Sequence, residues 1–125
     1  MKVINTPEAP KAIGPYSQAV VVNGLLFTSG QIAINPKTNQ IEAETIEEQT
    51  KQVMKNLHAL LRASNASFDN VVKTTIFLKD MNTFGTVNEI YGSYFSNHKP
   101  ARSTVEVARL PKDVLIEIEL IAKID

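Results

Sequence analysis

Arg102 enters a strand-like run directly after a proline turn, in Pro100-Ala101-Arg102-Ser103-Thr104. Its planar fork of donors matches a carboxylate at two points, which makes it a natural anchor for a small organic acid. A surface ion pair is the ordinary use of an isolated arginine, and residue type alone favours that use. Hydroxyl and small residues cluster in Gly14-Pro15-Tyr16-Ser17-Gln18 and Thr28-Ser29-Gly30-Gln31. Gly30 would let the backbone approach a ligand closely, and a bulge or strand end explains it about as well. Other chemistries lack their residues. There is no cysteine, hence no disulfide, thiolate zinc site or cysteine nucleophile. The two histidines, His58 in a helical stretch and His98 in a loop, have no ligand or triad spacing, so no metal is expected. The five glycines are scattered and form no phosphate loop, which argues against a nucleotide cofactor.

Charge narrows the partners. Thirteen Lys and Arg balance thirteen Asp and Glu, leaving no net field toward nucleic acid or an anionic membrane. The basic residues alternate with acids and form no stripe interleaved with aromatics. The N-terminus lacks the apolar stretch of a secretion signal, and no run approaches the roughly 20 apolar residues of a membrane span. The expectation is a cytoplasmic protein, and Asn65-Ala66-Ser67 reads as a helix end instead of a glycosylation site.

The elements that must position these side chains are legible in short patterns. With 125 residues, 43% of them hydrophobic, and no linker or repeat, one domain over 1–125 is expected. Val20-Val21-Val22, Asn23-Gly24 and Leu25-Leu26-Phe27-Thr28 spell a hairpin, because a type I′ turn needs positive φ at both central residues. These are taken as the first two strands. After the turn at Pro36-Lys37-Thr38-Asn39 the period changes, and Thr45-Ile46-Glu47-Glu48 fits a capping box. Ile46, Val53, Leu57, Leu60 and Leu61 fall on one face of the helix that follows, Glu47, Lys51 and Lys55 lie outside, and Asn65 or Ala66 ends it. Val71 to Leu78 reads as a third strand. Asn82 or Thr83 then caps a second helix with a buried stripe of Phe84, Val87, Tyr91, Tyr94 and Phe95. Ser103–Val107 and Val114–Ile124 are the remaining strands, joined through Leu110-Pro111-Lys112-Asp113.

The order ββαβαββ implies an α+β sheet with both helices on one face. In the last strand Ile116, Ile118, Leu120, Ala122 and Ile124 would lie under the helices, and Glu117, Glu119, Ile121 and Lys123 would face away. Arg102, Thr104 and Glu106 are expected on the same uncovered face of a neighbouring strand, close to one of those acids. A face of this mixed character suits a subunit interface with polar sites in it, although a solvated second face is also ordinary for such a sheet.

Ala12-Ile13-Gly14-Pro15-Tyr16-Ser17-Gln18, Thr28-Ser29-Gly30-Gln31, Val72-Lys73-Thr74-Thr75 and the run from Pro100 through Val105-Glu106-Val107-Ala108-Arg109 to Leu110-Pro111-Lys112-Asp113 resemble the RidA, or YjgF-type, family across nearly the whole chain. The resemblance implies a chorismate-mutase-like fold, a homotrimer whose sheets close a central barrel, and a cleft at each subunit interface. Carried over residue by residue, it implies that Arg102 anchors the substrate carboxylate and that Glu117 is the acid/base group. It places Tyr16, Ser29, Gly30, Asn88 and Thr104 along the cleft. Many relatives have cysteine where this chain has Thr104, so a thiol-based control is not expected here, while a hydroxyl still donates to a carboxylate.

The implied activity is a cofactor-free deaminase of the 2-iminobutanoate/2-iminopropanoate type. It hydrolyses reactive 2-enamino and 2-imino acids such as 2-aminoacrylate to 2-keto acids and ammonia. Two other classes are weighed against it. A ligand-sensing or chaperone-like trimer would use the same cleft without turnover. An RNA-cleaving translation inhibitor, an activity attached by name to some relatives, is disfavoured by the balanced charge and the absence of a histidine pair.

Overall fold

In the computed structural model, which describes residues 1–124, the Asn-Gly turn forms as its backbone demands. Asn23 and Gly24 take φ of 52° and 74°, joining β2 (Ala19–Val22) to β3 (Leu25–Thr28). An additional strand precedes them: β1 (Lys2–Ile4) pairs antiparallel with β2, Val3 opposite Val20. The order is therefore βββαβαββ. Three residues are too few to show an alternation, and this strand exists because β2 offers it a free edge.

The first helix, α1 (Ile46–Ala63), starts on the expected capping box. Thr45 Oγ1 accepts from the Glu48 amide at 3.1 Å, and Glu48 Oε1 accepts from the Thr45 amide at 3.3 Å. Those backbone bonds, from Thr45 first and then Glu44, hold the exposed Glu48 carboxyl below its ordinary range. At the other end Asn65 turns left-handed with φ 57°, and the Ala66 amide reaches the Leu61 carbonyl at 2.9 Å. Val53, Met54, Leu57, Leu60 and Leu61 are buried beneath the helix. Each such side chain contributes about 1.5–3 kcal/mol by leaving water. The same helix buries Asn56, whose Nδ2 donates to the Ile32 and Ile34 carbonyls at 3.1 and 3.0 Å and pins the loop after β3.

After α1 come β4 (Val71–Leu78), α2 (Phe84–Ser93), β5 (Ala101–Glu106) and β6 (Ile116–Lys123). Thr83 occupies the N-cap position of α2 without a side-chain capping bond, and its Oγ1 donates to the Asp80 carbonyl at 2.7 Å. Asp80 opens the preceding 3₁₀ turn instead, its Oδ1 accepting from the Asn82 amide at 2.9 Å. The fifth strand starts at Ala101, two residues before the expected Ser103, and stops at Glu106. The last starts at Ile116 because Val114 is engaged in the 3₁₀ turn, its amide bonded to the Pro111 carbonyl.

Among the described residues six strands run β1-β2-β3-β6-β4-β5, and of their pairings only β4 with β5 is parallel. The crossover through α2 places β5 beside β4 at the edge, and β6 fills the gap between β3 and β4. So β5 and β6 are not neighbours. Ile116, Ile118, Leu120 and Ala122 of β6 lie in the core under the helices, and Glu117 and Glu119 point to the other face. Parallel register sets Arg102 beside buried Thr74 and Thr104 beside buried Ile76, so Arg102, Thr104 and Glu106 stand on the helix side. This overturns the expectation that they share the uncovered face with the acids.

The uncovered face is partly apolar. Val3, Val22, Phe27 and Val105, contributed by four strands, are 56%, 37%, 36% and 42% exposed. Among the described residues no helix is long and apolar enough to cross a membrane.

Candidate active site

The chemistry-bearing side chains fall into two groups on opposite faces of the sheet. The first surrounds Glu117. A cleft of about 400 Å³ is lined by Pro10, Ile13, Tyr16, Ser29, Gly30, Gln31, Lys112 and Glu117, among others. Gln31 exchanges both backbone bonds with Ile118, at 2.8 and 3.1 Å, which holds the segment after β3 against β6 and brings Gly30 over Glu117. A side chain at 30 would collide with the Glu117 carboxylate, since an added Cβ would lie 2.8 Å from Glu117 Cδ. Gly30 therefore makes room for a carboxylate of this protein's own, a reason different from approach to a ligand or a strand end.

The wall of this cleft is fastened by one residue. Gln18 is buried, and its Nε2 donates to the carbonyls of Pro10 at 2.8 Å, Thr6 at 3.0 Å and Ala9 at 3.3 Å. Its Oε1 accepts from the Thr6 amide at 2.7 Å. The N-terminal loop so held carries Ile13 and Tyr16 to the mouth, where the Tyr16 hydroxyl accepts from the Ile13 amide at 3.4 Å. Ser29 Oγ donates to the Ser17 carbonyl at 2.6 Å, which fixes the hydroxyl beside the cleft.

Glu117 is half-buried there and has no hydrogen-bond or ion-pair partner among the described residues. Burial pushes its carboxyl above the ordinary carboxylate value, and the like charge of Glu119 pushes the same way. A half-buried carboxylate with raised proton affinity and nothing bonded to it is equipped to exchange protons with a water or a bound molecule.

The second group surrounds Arg102. Its Nη1 donates to Asn88 Oδ1 at 2.7 Å, and its Cζ lies 5.1 Å from the ring centroids of both Phe84 and Tyr91. No acidic residue pairs with it, and Nε and Nη2 make no hydrogen bond among the described residues. The ion pair that an isolated arginine usually makes is formed instead by Arg109 and Asp113, at 2.7 Å on the surface. Two residues along β5, Thr104 Oγ1 is buried without a hydrogen-bond partner among the described residues. A hydroxyl so placed costs about 1–3 kcal/mol until something bonds to it. Asn88, Tyr91, Pro100 and Arg102 line a second cleft of about 400 Å³.

The site residues expected from the sequence thus divide into Tyr16, Ser29, Gly30 and Glu117 on one side and Asn88, Arg102 and Thr104 on the other. Arg102 and Glu117 are separated by the width of β4 and lie on opposite faces, two strand spacings or about 10 Å apart before their faces are counted. In the sequence Gln18 and Lys112 are legible only as members of motifs, with no sign of the fastening and lining they provide here. Phe84 and Tyr91 were legible only as part of a buried stripe.

Residues 6–124 match the family described as endoribonuclease L-PSP. A RutC family protein of Synechocystis is 57% identical over 124 residues, covering 98% of this chain and 95% of that protein. The 2-iminobutanoate/2-iminopropanoate deaminase of Mus musculus is 51% identical over 121 residues, covering 97% of this chain and 90% of that protein. The crystal structure of the YjgF gene product of E. coli superposes with a TM-score of 0.93 at 49% identity, covering 98% of each chain. The mixed sheet with two helices on one face is the chorismate-mutase-like α+β arrangement.

Proposed function

The chain belongs to the endoribonuclease L-PSP, or YjgF/RidA, family, and on that footing we propose that it is an enamine/imine deaminase working at clefts shared between copies of itself. The observation that carries this reading is the division of the site. Arg102 offers an unpaired two-point edge and Glu117 an unpaired carboxylate, on faces that one small substrate cannot span within a single chain. A second copy, lying against the partly apolar sheet face, would bring its Arg102 to the first copy's Glu117. The exposed Val3, Val22, Phe27 and Val105 support such a cover, because apolar residues from four strands on one face favour burial.

In that cleft the substrate carboxylate would take the Nε and Nη2 edge of Arg102, with Thr104 Oγ1 as a further donor. The anchored carboxylate fixes the electrophilic carbon. An enamine such as 2-aminoacrylate first takes a proton at its terminal carbon and becomes the iminium. The Glu117 carboxylate removes a proton from water as the oxygen bonds to the iminium carbon, giving a neutral tetrahedral aminoalcohol. It then returns that proton to nitrogen, the C–N bond breaks as the hydroxyl proton passes back to the Glu117 carboxylate, and 2-keto acid and ammonia leave. Tyr16 and Ile13 wall the cleft from bulk solvent. The imine supplies its own electrophile, so the step asks the protein only for positioning and proton transfer.

Two experiments test this reading. A 2-imino acid generated in place by an amino-acid oxidase should release ammonia faster with the protein than without it, and static light scattering should give close to three times 13.8 kDa. A stable monomer at micromolar concentration, or binding of 2-oxobutanoate with no acceleration, would sink it, the latter in favour of a ligand sensor. Gly30→Ala refines the test. Its methyl displaces the Glu117 carboxylate and leaves the core untouched. Hydrolysis should fall about ten- to a hundredfold, as misplacement by an ångström does, at an unchanged melting temperature. Equal rates would separate Gly30 from Glu117's function.

A further inference from the structure

We propose that Phe84 and Tyr91 are positioning residues which, together with Asn88, clamp Arg102 so that its Nε and Nη2 edge is presented to an incoming carboxylate. For its substrate the proposal rests on the deaminase reading; for the geometry of the clamp it does not. Phe84, Asn88 and Tyr91 stand at i, i+4 and i+7 of α2, which puts them on one helical face. That face meets Arg102. The guanidinium carbon lies 5.1 Å from each ring centroid, and Asn88 Oδ1 takes Nη1 at 2.7 Å. One donor is committed and both rings contact the cation, while the two remaining nitrogens stay open as a parallel pair, the arrangement a carboxylate needs.

The ring of Tyr91 is itself fixed. Its hydroxyl and Thr74 Oγ1 are 2.7 Å apart in the interior, and Thr74 is the register partner of Arg102 on the adjacent strand. The strand pair that carries the arginine therefore also holds the ring that orients it. A free arginine loses rotamer entropy when a ligand immobilises it, and a clamp formed on folding removes that cost from binding. The clamp also spares Arg102 an acidic partner, which would occupy the edge the substrate needs. Phe84 and Tyr91 act through Arg102 and touch no reacting atom.

The test uses the full chain and four variants. Phe84→Leu keeps an apolar side chain and removes the π face. It should raise KM for the imine about five- to tenfold, with kcat held within about twofold, because carboxylate anchoring is shared by ground and transition states. Phe84→Tyr should restore the parent KM. In an Arg102→Lys background, Phe84→Leu should change kcat/KM little, since the fork it orients is gone. A second readout is independent of turnover. In the parent, the NMR resonance of Arg102 Hε should lie upfield of its free position from the two ring currents, and Phe84→Leu should move it back. An Hε at its free position and unmoved by Phe84→Leu overturns the clamp. So does a KM that Phe84→Leu leaves unchanged, or one that rises equally with leucine and tyrosine. A ring-shifted Arg102 in a protein that hydrolyses no imine overturns the deaminase reading and supports the clamp.

Discussion

Arg102→Lys is expected to lower kcat/KM for imine hydrolysis by roughly two orders of magnitude or more, about 3 kcal/mol of transition-state stabilisation. Lysine keeps the charge and loses the fork. The guanidinium serves Asn88 with one nitrogen while Nε and Nη2 remain free in one plane, whereas an ammonium presents a single point. The rings of Phe84 and Tyr91 lose the flat cation that lies against them. Little else depends on Arg102: it is exposed in the single chain and pairs with no acid among the described residues. The variant should therefore melt within a few degrees of the parent. Measuring imine hydrolysis alongside the melting temperature and assembly mass decides the matter. Near-parental turnover with an unchanged assembly would make Arg102 an ordinary surface cation.

Glu117→Gln should abolish most turnover while 2-oxobutanoate still binds, which separates proton transfer from anchoring within one site. Glutamine keeps the size of the side chain and much of its hydrogen bonding. On the proposed mechanism the active form is the carboxylate, so kcat/KM should fall as pH falls through the Glu117 value, which burial and then Glu119 hold above the ordinary carboxylate range. Glu119→Gln removes one of the two causes and should shift that limb to lower pH with a much smaller loss of rate. Stability runs the opposite way. A carboxyl whose folded value is raised contributes most below its unfolded value of 4.5, and that contribution is lost as pH rises through the raised value. At pH 7 the parent thus carries a half-buried charge that Glu117→Gln removes, and the variant should melt no lower than the parent. Rate profiles, calorimetric keto-acid titrations and melting curves check these outcomes. Hydrolysis at the parent rate would remove Glu117 from the chemistry and turn attention to backbone carbonyls and Tyr16.

What the sequence discloses about this fold is local. The Asn23-Gly24 hairpin, the Thr45–Glu48 capping box, the apolar face of α1 and the alternation of β6 each depend on residues within one or two turns of one another, and all are present. Non-local facts are hidden. Nothing in Ala101–Glu106 says that its neighbour is β4 on one side only, yet that pairing decides which face receives Arg102. The acids of β6 are legible as facing away from the helices, because period two needs only the strand itself. The same period cannot place Arg102, because its face depends on whether β5 pairs with β4 or with β6. Gly30 shows the same limit, since its partner Glu117 is remote in sequence and the collision exists only once Gln31 has bridged to Ile118. Arg102, Tyr16, Ser29 and Gly30 are legible by residue type, Asn88 and the roles of Glu117 and Thr104 come through the resemblance, and their division between two faces follows from register alone.

That division has a consequence for inheritance. On the proposed reading each cleft takes its anchor from one chain and its proton-transfer group from another, so damage to the two groups is not equivalent to damage to the pocket as a whole. A cell producing one chain without Arg102 and one without Glu117 would hold no intact gene, yet mixed assemblies would contain clefts where the undamaged halves of both products meet. With random mixing, about a quarter of the clefts would be whole. A chain lacking both groups would contribute to none and, by joining intact copies, would spoil clefts on either side of it. Two recessive lesions in opposite faces of this sheet would then partly compensate one another, and the same two lesions in one chain, mixed equally with intact copies, would also leave about a quarter of the clefts whole, half of what the intact copies would form alone.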